Sequence, residues 1–232
     1  MSTRPLCVIA AVLLIAALPV AAAEKKVGEW FGGKEGAPYG EVKPAIEQAA
    51  GQALAARVPE ELLVERLAEG AAKGVAPEVM QRAMVEEAGA LAAIAAVLDA
   101  RLPRLGADDR TEALRLGALA ARGGIGTATV DAAVGWTVEG GRDLGRTMSA
   151  LVAVASLHRS LGFDPDRGLA LARAFSLSKE KTSRFGAFVS LMSGARARGL
   201  AAETVVEATL TALAEGRTFL ALQRELDRKS TR

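Results

Sequence analysis

The sequence predicts an all-α protein made of tandem antiparallel helical hairpins, arranged as a compact bundle or a short solenoid. Alanine, leucine and glutamate are abundant and aromatic residues make up only 4% of the chain, which is typical of helices. No run alternates apolar and polar residues as a half-buried strand would. A pattern of helix, glycine turn and helix also recurs along the chain, which indicates repeated hairpins.

Residues 1–23 are predicted to be a secretory signal peptide. Arg4 precedes an apolar run over residues 6–18, and small residues precede Glu24, so we expect cleavage after Ala23. An uncleaved anchor is the alternative, although the run is short for a bilayer span. The one cysteine, Cys7, lies inside this segment, so no disulfide is available to the mature fold. We expect a periplasmic or secreted protein that is not integral to the membrane after cleavage.

The charge of the mature chain is nearly balanced. Without Arg4, 28 of the 29 basic side chains remain against 27 acidic ones. Such a balance creates no global field that would steer the protein toward a polyanion. We therefore expect no nucleic-acid partner.

Residues 24–44 are predicted to form a flexible leader, because they are rich in glycine and contain no helical period. Trp30, Phe31 and Tyr39 stand out in a chain with so few aromatic residues. Two interpretations remain open. These side chains form a strap packed on the protein's own helices, or they are candidate docking residues for a partner.

Residues 45–232 are predicted to form one all-helical repeat domain, with its clearest hairpin at residues 57–98. Pro59 and Pro77 are placed where helices begin, because proline suits the first turn. Gly74 is placed where the first of these helices ends. The apolar positions of the following helix keep heptad spacing and are interrupted only by Glu87.

The same turn recurs downstream. Gly74, Gly124, Gly162 and Gly199 are each followed by an apolar residue and have a basic residue within the three positions before them. The intervals between these glycines are 50, 38 and 37 residues. A single hairpin cannot bury both of its faces, so neighbouring hairpins must stack. Further glycines predict a bend near residues 140–145, and the last helix is predicted over residues 203–227.

The segment from Glu69 to Glu78 has the pattern EGxxKGVxPE and precedes an amphipathic helix. In this it resembles uncharacterised exported all-helical proteins of bacteria. The resemblance covers mainly residues 58–98. It implies the helical fold and export, and because no activity is known for that group it assigns no functional residue.

Several residues of the types used in catalysis or metal binding are better explained by structural roles. His158 is the only histidine, and a structural zinc site needs four nitrogen or sulfur ligands, so we predict a structural or surface histidine. Asp164 followed by Pro165 resembles the start of a calcium loop, but the position of the bidentate glutamate is Phe175. An N-cap followed by a first-turn proline explains the pair better.

Two further patterns are also better explained without a binding site. Residues 122–127 are rich in glycine, but Thr129 occupies the third glycine position of a dinucleotide fingerprint, so an inter-repeat turn is favoured. The second half of the chain is rich in arginine, which would suit phosphates, lipid head groups or an acidic partner. Acidic residues are interleaved with these arginines, and this favours a mixed solvated surface.

No catalytic, cofactor-binding or metal-binding residue is predicted. We therefore expect a non-enzymatic interaction or scaffold protein of the cell envelope, with grooves that hold an envelope protein or peptide. A carrier or binder of a small apolar ligand or lipid is the alternative, and an enzyme of unrecognised type is the third class. Neither the partner nor the oligomeric state follows from the sequence.

Overall fold

The computed structural model describes residues 26–230, so the predicted signal peptide lies outside the described residues. These residues form eleven α-helices and no strands, which confirms the all-α prediction. The helices are α1 (Val27–Phe31), α2 (Lys43–Ala55), α3 (Glu60–Ala72), α4 (Pro77–Arg101), α5 (Ala107–Arg122), α6 (Thr127–Glu139), α7 (Leu144–Leu161), α8 (Pro165–Leu177), α9 (Phe185–Ala197), α10 (Ala202–Ala214) and α11 (Phe219–Ser230). Short 3₁₀ helices cover Ala37–Val42 and Thr182–Arg184.

The helices stack in chain order around two long members, α4 and α7. Helix α4 packs against α2, α3, α5 and α6, and α7 packs against α5, α6, α8 and α9. Among the described residues, the principal contacts between α-helices join helices one or two positions apart in the chain. Sequential packing of this kind is the arrangement of a short solenoid, in which each hairpin completes the core of its neighbour.

One turn geometry joins most of the helices. Gly74, Gly124, Gly162 and Gly199, the four predicted turn glycines, all have positive φ. At Gly74 the amide of Val75 donates to the carbonyl of Gly70, and the amide of Gly74 donates to that of Ala71. This is the Schellman arrangement, which satisfies the last carbonyls of a helix. A new helix begins three residues after each of these glycines.

The structure adds three turns of the same type, at Arg57, Gly141 and Gly216, of which only the one at Gly141 falls where the sequence predicts a bend. The predicted single helix over residues 203–227 is therefore wrong, because the turn at Gly216 divides it into α10 and α11. The bend predicted near residues 140–145 is the turn at Gly141. Arg57 was missed because a left-handed turn residue is usually glycine, and no glycine marks this one.

With these turns included, three pairs of turns share one spacing, and the turn at Gly162 has no such partner. Turn residues 57 and 74, 124 and 141, and 199 and 216 are each separated by 17 positions. Each pair encloses a helix of 13 residues, namely α3, α6 and α10. The structural unit is therefore a short helix held between two left-handed turns, followed by a second helix that stacks on it.

Buried apolar side chains form one continuous cluster that runs from Val27 in α1 to Leu226 in α11. Many of its members are alanines, which allow helices to approach closely. Within residues 26–230, no helix combines the length and the apolar character needed to cross a membrane.

Candidate functional site

The predicted docking residues lie inside the fold. Residues 26–42, which we call the strap, form α1 and the first 3₁₀ helix instead of an extended flexible leader. Trp30, Phe31 and Tyr39 are only 4%, 8% and 4% exposed. Their rings contact one another, with centroids 5.1 Å apart for Trp30 and Phe31 and 5.7 Å apart for Trp30 and Tyr39. The structure thus corresponds to the strap interpretation, and these side chains are not open to a partner in this conformation.

Two hydrogen bonds fasten the strap to the helices. The Tyr39 hydroxyl donates to the carbonyl of Val75 at 2.9 Å, and the amide of Val27 donates to the Glu60 carboxylate at 2.8 Å. Within the strap, a Cβ at Gly36 would lie 2.3 Å from the carbonyl oxygen of Trp30, so only glycine fits there. Burial of the three rings supplies most of the remaining attachment.

A groove runs along the edge of the strap. It has a volume of about 710 Å³ and is open to solvent. One wall belongs to the strap and includes Lys34, Glu35 and Tyr39. The floor and the opposite wall consist of small or apolar residues at the end of α3 and the start of α4, namely Ala68, Ala71, Ala72, Gly74, Val75, Ala76 and Pro77. We call this feature the strap groove.

A second feature is a cluster of ion pairs between α3, α4 and α5. Glu87 of α4 has a side chain that is only 4% exposed, and both of its oxygens accept from Arg122, at 2.6 and 2.8 Å. Glu69 accepts from Arg122 at 3.2 Å and from Arg66 at 2.9 Å, and it also pairs with Lys73. The adjacent depression holds only about 160 Å³.

The charges in this cluster stabilise each other's ionised forms. Burial raises the pKa of Glu69, but hydrogen bonds from Lys73 and Arg66 and the charge of Arg122 outweigh it and hold the pKa below its ordinary value. Burial lowers the pKa of Arg122, but the hydrogen bond to Glu87 and the nearby carboxylates raise it overall. These ion pairs run between α3, α4 and α5, so the cluster joins three helices. Because each of these groups is already paired, the cluster is not poised for proton transfer.

The other residues considered from the sequence occupy structural positions. The carboxylate of Asp164 accepts from the amide of Arg167 at 2.8 Å and Pro165 begins α8, which confirms the N-cap prediction. His158 lies near the end of α7, packed edge to face on Phe163 and against Gly124. The turn after Arg122 joins α5 to α6, and a Cβ at Gly123 would lie 2.4 Å from the Cβ of Ala155 in α7.

Among residues 26–230, no three histidine, cysteine, aspartate or glutamate side chains are grouped closely enough to hold a metal ion. No protein-family model, curated protein or solved structure matches the chain. Its geometry therefore provides the basis for a functional proposal.

Proposed function

We propose that this protein is an exported, non-enzymatic scaffold of the cell envelope that holds a segment of a partner protein in the strap groove. The observation that supports this most directly is the lining of the groove, which is open to solvent and rich in alanines. Small side chains let a bound backbone approach closely, as extended segments require. The proposed export rests on the signal-peptide pattern of residues 1–23.

The walls of the strap groove suit a segment with mixed chemistry. Tyr39 is buried and fixed by its hydrogen bond to Val75, so it holds the strap wall of the groove in place before a segment binds. Lys34 and Glu35 are exposed on the rim and form no ion pair within the described part of the chain. They are free to contact charged groups of a bound segment.

The packing of the core favours a scaffold over the alternative of a carrier. A carrier would use the apolar faces of its helices to line a cavity for a lipid or another apolar ligand. In this protein those faces pack against one another in one continuous cluster. The strap groove and the charged depression both lie at the surface.

Substituting arginine for each of two matched alanines tests the proposal. Ala72 and Ala214 are the exposed last residues of two equivalent 13-residue helices, α3 and α10, but only Ala72 lines the strap groove. Wild-type, Ala72→Arg and Ala214→Arg proteins would each be used to capture partners from an envelope extract of the source cell. We expect one stoichiometric protein partner with wild type and Ala214→Arg, and none with Ala72→Arg.

Equal capture by all three proteins would show that the groove is not the binding site. Recovery of lipid without protein would favour the carrier alternative. Circular dichroism and thermal unfolding of the three proteins confirm that any loss comes from blocking the groove and not from misfolding.

A further inference from the structure

The second half of the chain has a surface that combines an aromatic ring, an exposed leucine and several cations. We define the Trp136 patch as Trp136 with the two arginines at its ring, Arg142 and Arg173, together with the exposed residues that follow Arg173 at the end of α8 and in the next loop, Leu177, Lys179 and Lys181. We propose that this patch docks onto the surface of a membrane that contains anionic phospholipid. The Trp136 patch shares no residue with the strap groove, so vesicle binding and partner capture can fail independently.

Trp136 organises the patch. The guanidinium carbon of Arg142 lies 4.1 Å from the ring centroid of Trp136, and that of Arg173 lies 5.7 Å from it. Arg142 is also fixed by a hydrogen bond of 2.8 Å to the backbone carbonyl of Trp136. These contacts hold two positive charges at the same ring.

The cations of the patch lack acidic partners. Arg142, Arg173, Lys179 and Lys181 form no ion pair within residues 26–230. Nearby, the guanidinium of Arg146 donates only to backbone carbonyls and the Ser178 hydroxyl, so its positive charge is not paired with a carboxylate.

Three acidic residues lie near the patch and are fewer than its cations. Asp143 caps the N-terminus of α7 and lines the same surface depression as Lys181, and Glu180 pairs with Arg184 at 3.3 Å. Glu139 lies close enough to Arg101 to help raise the pKa of that guanidinium, after the larger effect of Asp131. A net positive charge therefore remains at the surface of the patch.

The exposed leucine decides between a membrane and a soluble anion. Leu177 is 65% exposed and lies one helical turn after Arg173, so both side chains lie on the same face of α8. Trp136 is half-buried, and the guanidinium groups of both arginines lie within 5.7 Å of its ring centroid. A free phosphate would gain nothing from the leucine, whereas a lipid surface offers phosphates to the cations and acyl chains to the apolar groups.

Co-sedimentation with vesicles tests the inference. The full chain would be mixed with phosphatidylcholine vesicles that either contain or lack phosphatidylglycerol. Each basic residue near an anionic surface contributes a factor of about five to partitioning, so Arg173→Gln/Lys179→Gln/Lys181→Gln should lower binding to the anionic vesicles at least tenfold. Every variant carries the same residues 1–25, so any binding by that segment is common to all of them.

Two matched controls remove equivalent charged and apolar side chains outside the patch. Arg82, Arg104 and Arg159 are exposed and form no ion pair among the described residues, so their triple change to glutamine removes equal charge without touching the patch. Leu177→Asn should weaken binding severalfold, whereas Leu220→Asn, at a leucine that is 60% exposed in α11, should not. We also expect inorganic phosphate, added at constant ionic strength, to leave vesicle binding unchanged.

Several results would overturn the inference. These are equal binding to neutral and anionic vesicles, absence of binding to either, and equal losses in the patch and control triples. Full competition by inorganic phosphate would reassign the patch to a soluble phosphate group. A Leu177→Asn protein that binds like wild type would remove the argument for insertion into lipid.

Discussion

Two arginines at helix junctions are stabilised by different kinds of hydrogen-bond acceptor. Arg122, at the end of α5, pairs with the side chains of Glu87 and Glu69. Arg146, in the first turn of α7, donates to the carbonyls of four residues around the end of α8, namely Phe175, Ser176, Ser178 and Glu180. The first arginine depends on carboxylates from other helices, and the second satisfies the free carbonyls and the negative dipole end of a helix.

The first junction is held by pairing with particular side chains, and the second by capping of backbone carbonyls. A carboxylate can be mutated or protonated, so the junction of α3, α4 and α5 is sensitive to both sequence and acid. Backbone carbonyls are present whatever the side chain, and the hydroxyls of Thr137, Thr147 and Ser176, in contact at 3.0 and 3.1 Å, add neutral hydrogen bonds beside Arg146. The α7 and α8 junction should therefore tolerate acid and depend on one arginine.

The largest effect is expected for Glu87→Gln. This change removes the charge that neutralises Arg122 inside the helix junction, and breaking such a pair should lower the free energy of unfolding by about 3 kcal/mol. The value lies at the low end for buried pairs because the Arg122 side chain retains 27% exposure and keeps Glu69. Urea denaturation measured at neutral pH gives the change.

Removing both charges provides the control. The double variant Glu87→Leu/Arg122→Met fills the junction with apolar groups and should recover most of the loss, because no unpaired charge remains. A double variant as unstable as Glu87→Gln would show that packing, and not the unpaired charge, sets the cost.

A smaller loss, about 2 kcal/mol, is expected for Arg146→Met, because it removes the donor to the carbonyls of Ser176, Ser178 and Glu180. Arg146→Lys should recover only part of this stability, since one ammonium group cannot reproduce the guanidinium fork. Arg159→Met, at an exposed position on the same helix, serves as the control and should stay within about 0.5 kcal/mol of wild type. Equal urea midpoints for all three variants would contradict a capping role for Arg146.

Acid should distinguish the two junctions. The pKa of Glu69 is lowered in the fold, so the stability that this group contributes is present above its ordinary value of 4.5 and is lost as pH falls through the folded pKa. Glu69→Gln should therefore make the decline of stability toward acid shallower. Part of the decline of stability toward acid should remain in Glu69→Gln, because the pKa values of Asp99, Asp131 and Glu225 are also lowered in the fold.

Arg146→Met should follow the same acid slope as wild type from a lower starting value, since its acceptors do not titrate. Urea midpoints measured between neutral pH and about pH 3, below the ordinary range of these carboxyls, provide the comparison. A shallower slope in Arg146→Met would show that this junction also depends on a carboxylate.

The sequence predicted those parts of the fold that particular residue types mark. Gly74, Gly124, Gly162 and Gly199 marked left-handed turns because glycine alone adopts them without strain. Asp164 with Pro165 marked a helix start. The turn at Arg57 has no such mark. The spacing of 17 residues also needs the turns at Gly141 and Gly216, which the intervals of 50, 38 and 37 between the four predicted glycines leave out.

The candidate sites were predictable to different degrees. Trp30, Phe31 and Tyr39 were recognised because aromatic residues are rare in this chain, although only the structure shows that their rings are buried. Glu87 left one trace, an interruption in the apolar spacing of α4, but its partner Arg122 lies 35 residues away. Arg146 left none, because its acceptors are backbone carbonyls whose position depends on how α7 and α8 pack.

The smallest effect should arise at Arg57, where backbone strain and an ion pair act on the same residue. Its φ of 59° costs about 1 kcal/mol for a side chain, and its exposed pair with Asp99, at 2.8 Å, contributes a few tenths of that. Arg57→Gly should therefore raise the free energy of unfolding by about 0.5 kcal/mol, while Arg110 continues to pair with Asp99. Gly74→Ala, at the equivalent turn with φ of 64° and open space for a Cβ, should lower it by about 1 kcal/mol. A loss of stability in Arg57→Gly, measured by the same urea titration, would mean that even at this exposed turn the side-chain charge outweighs the backbone.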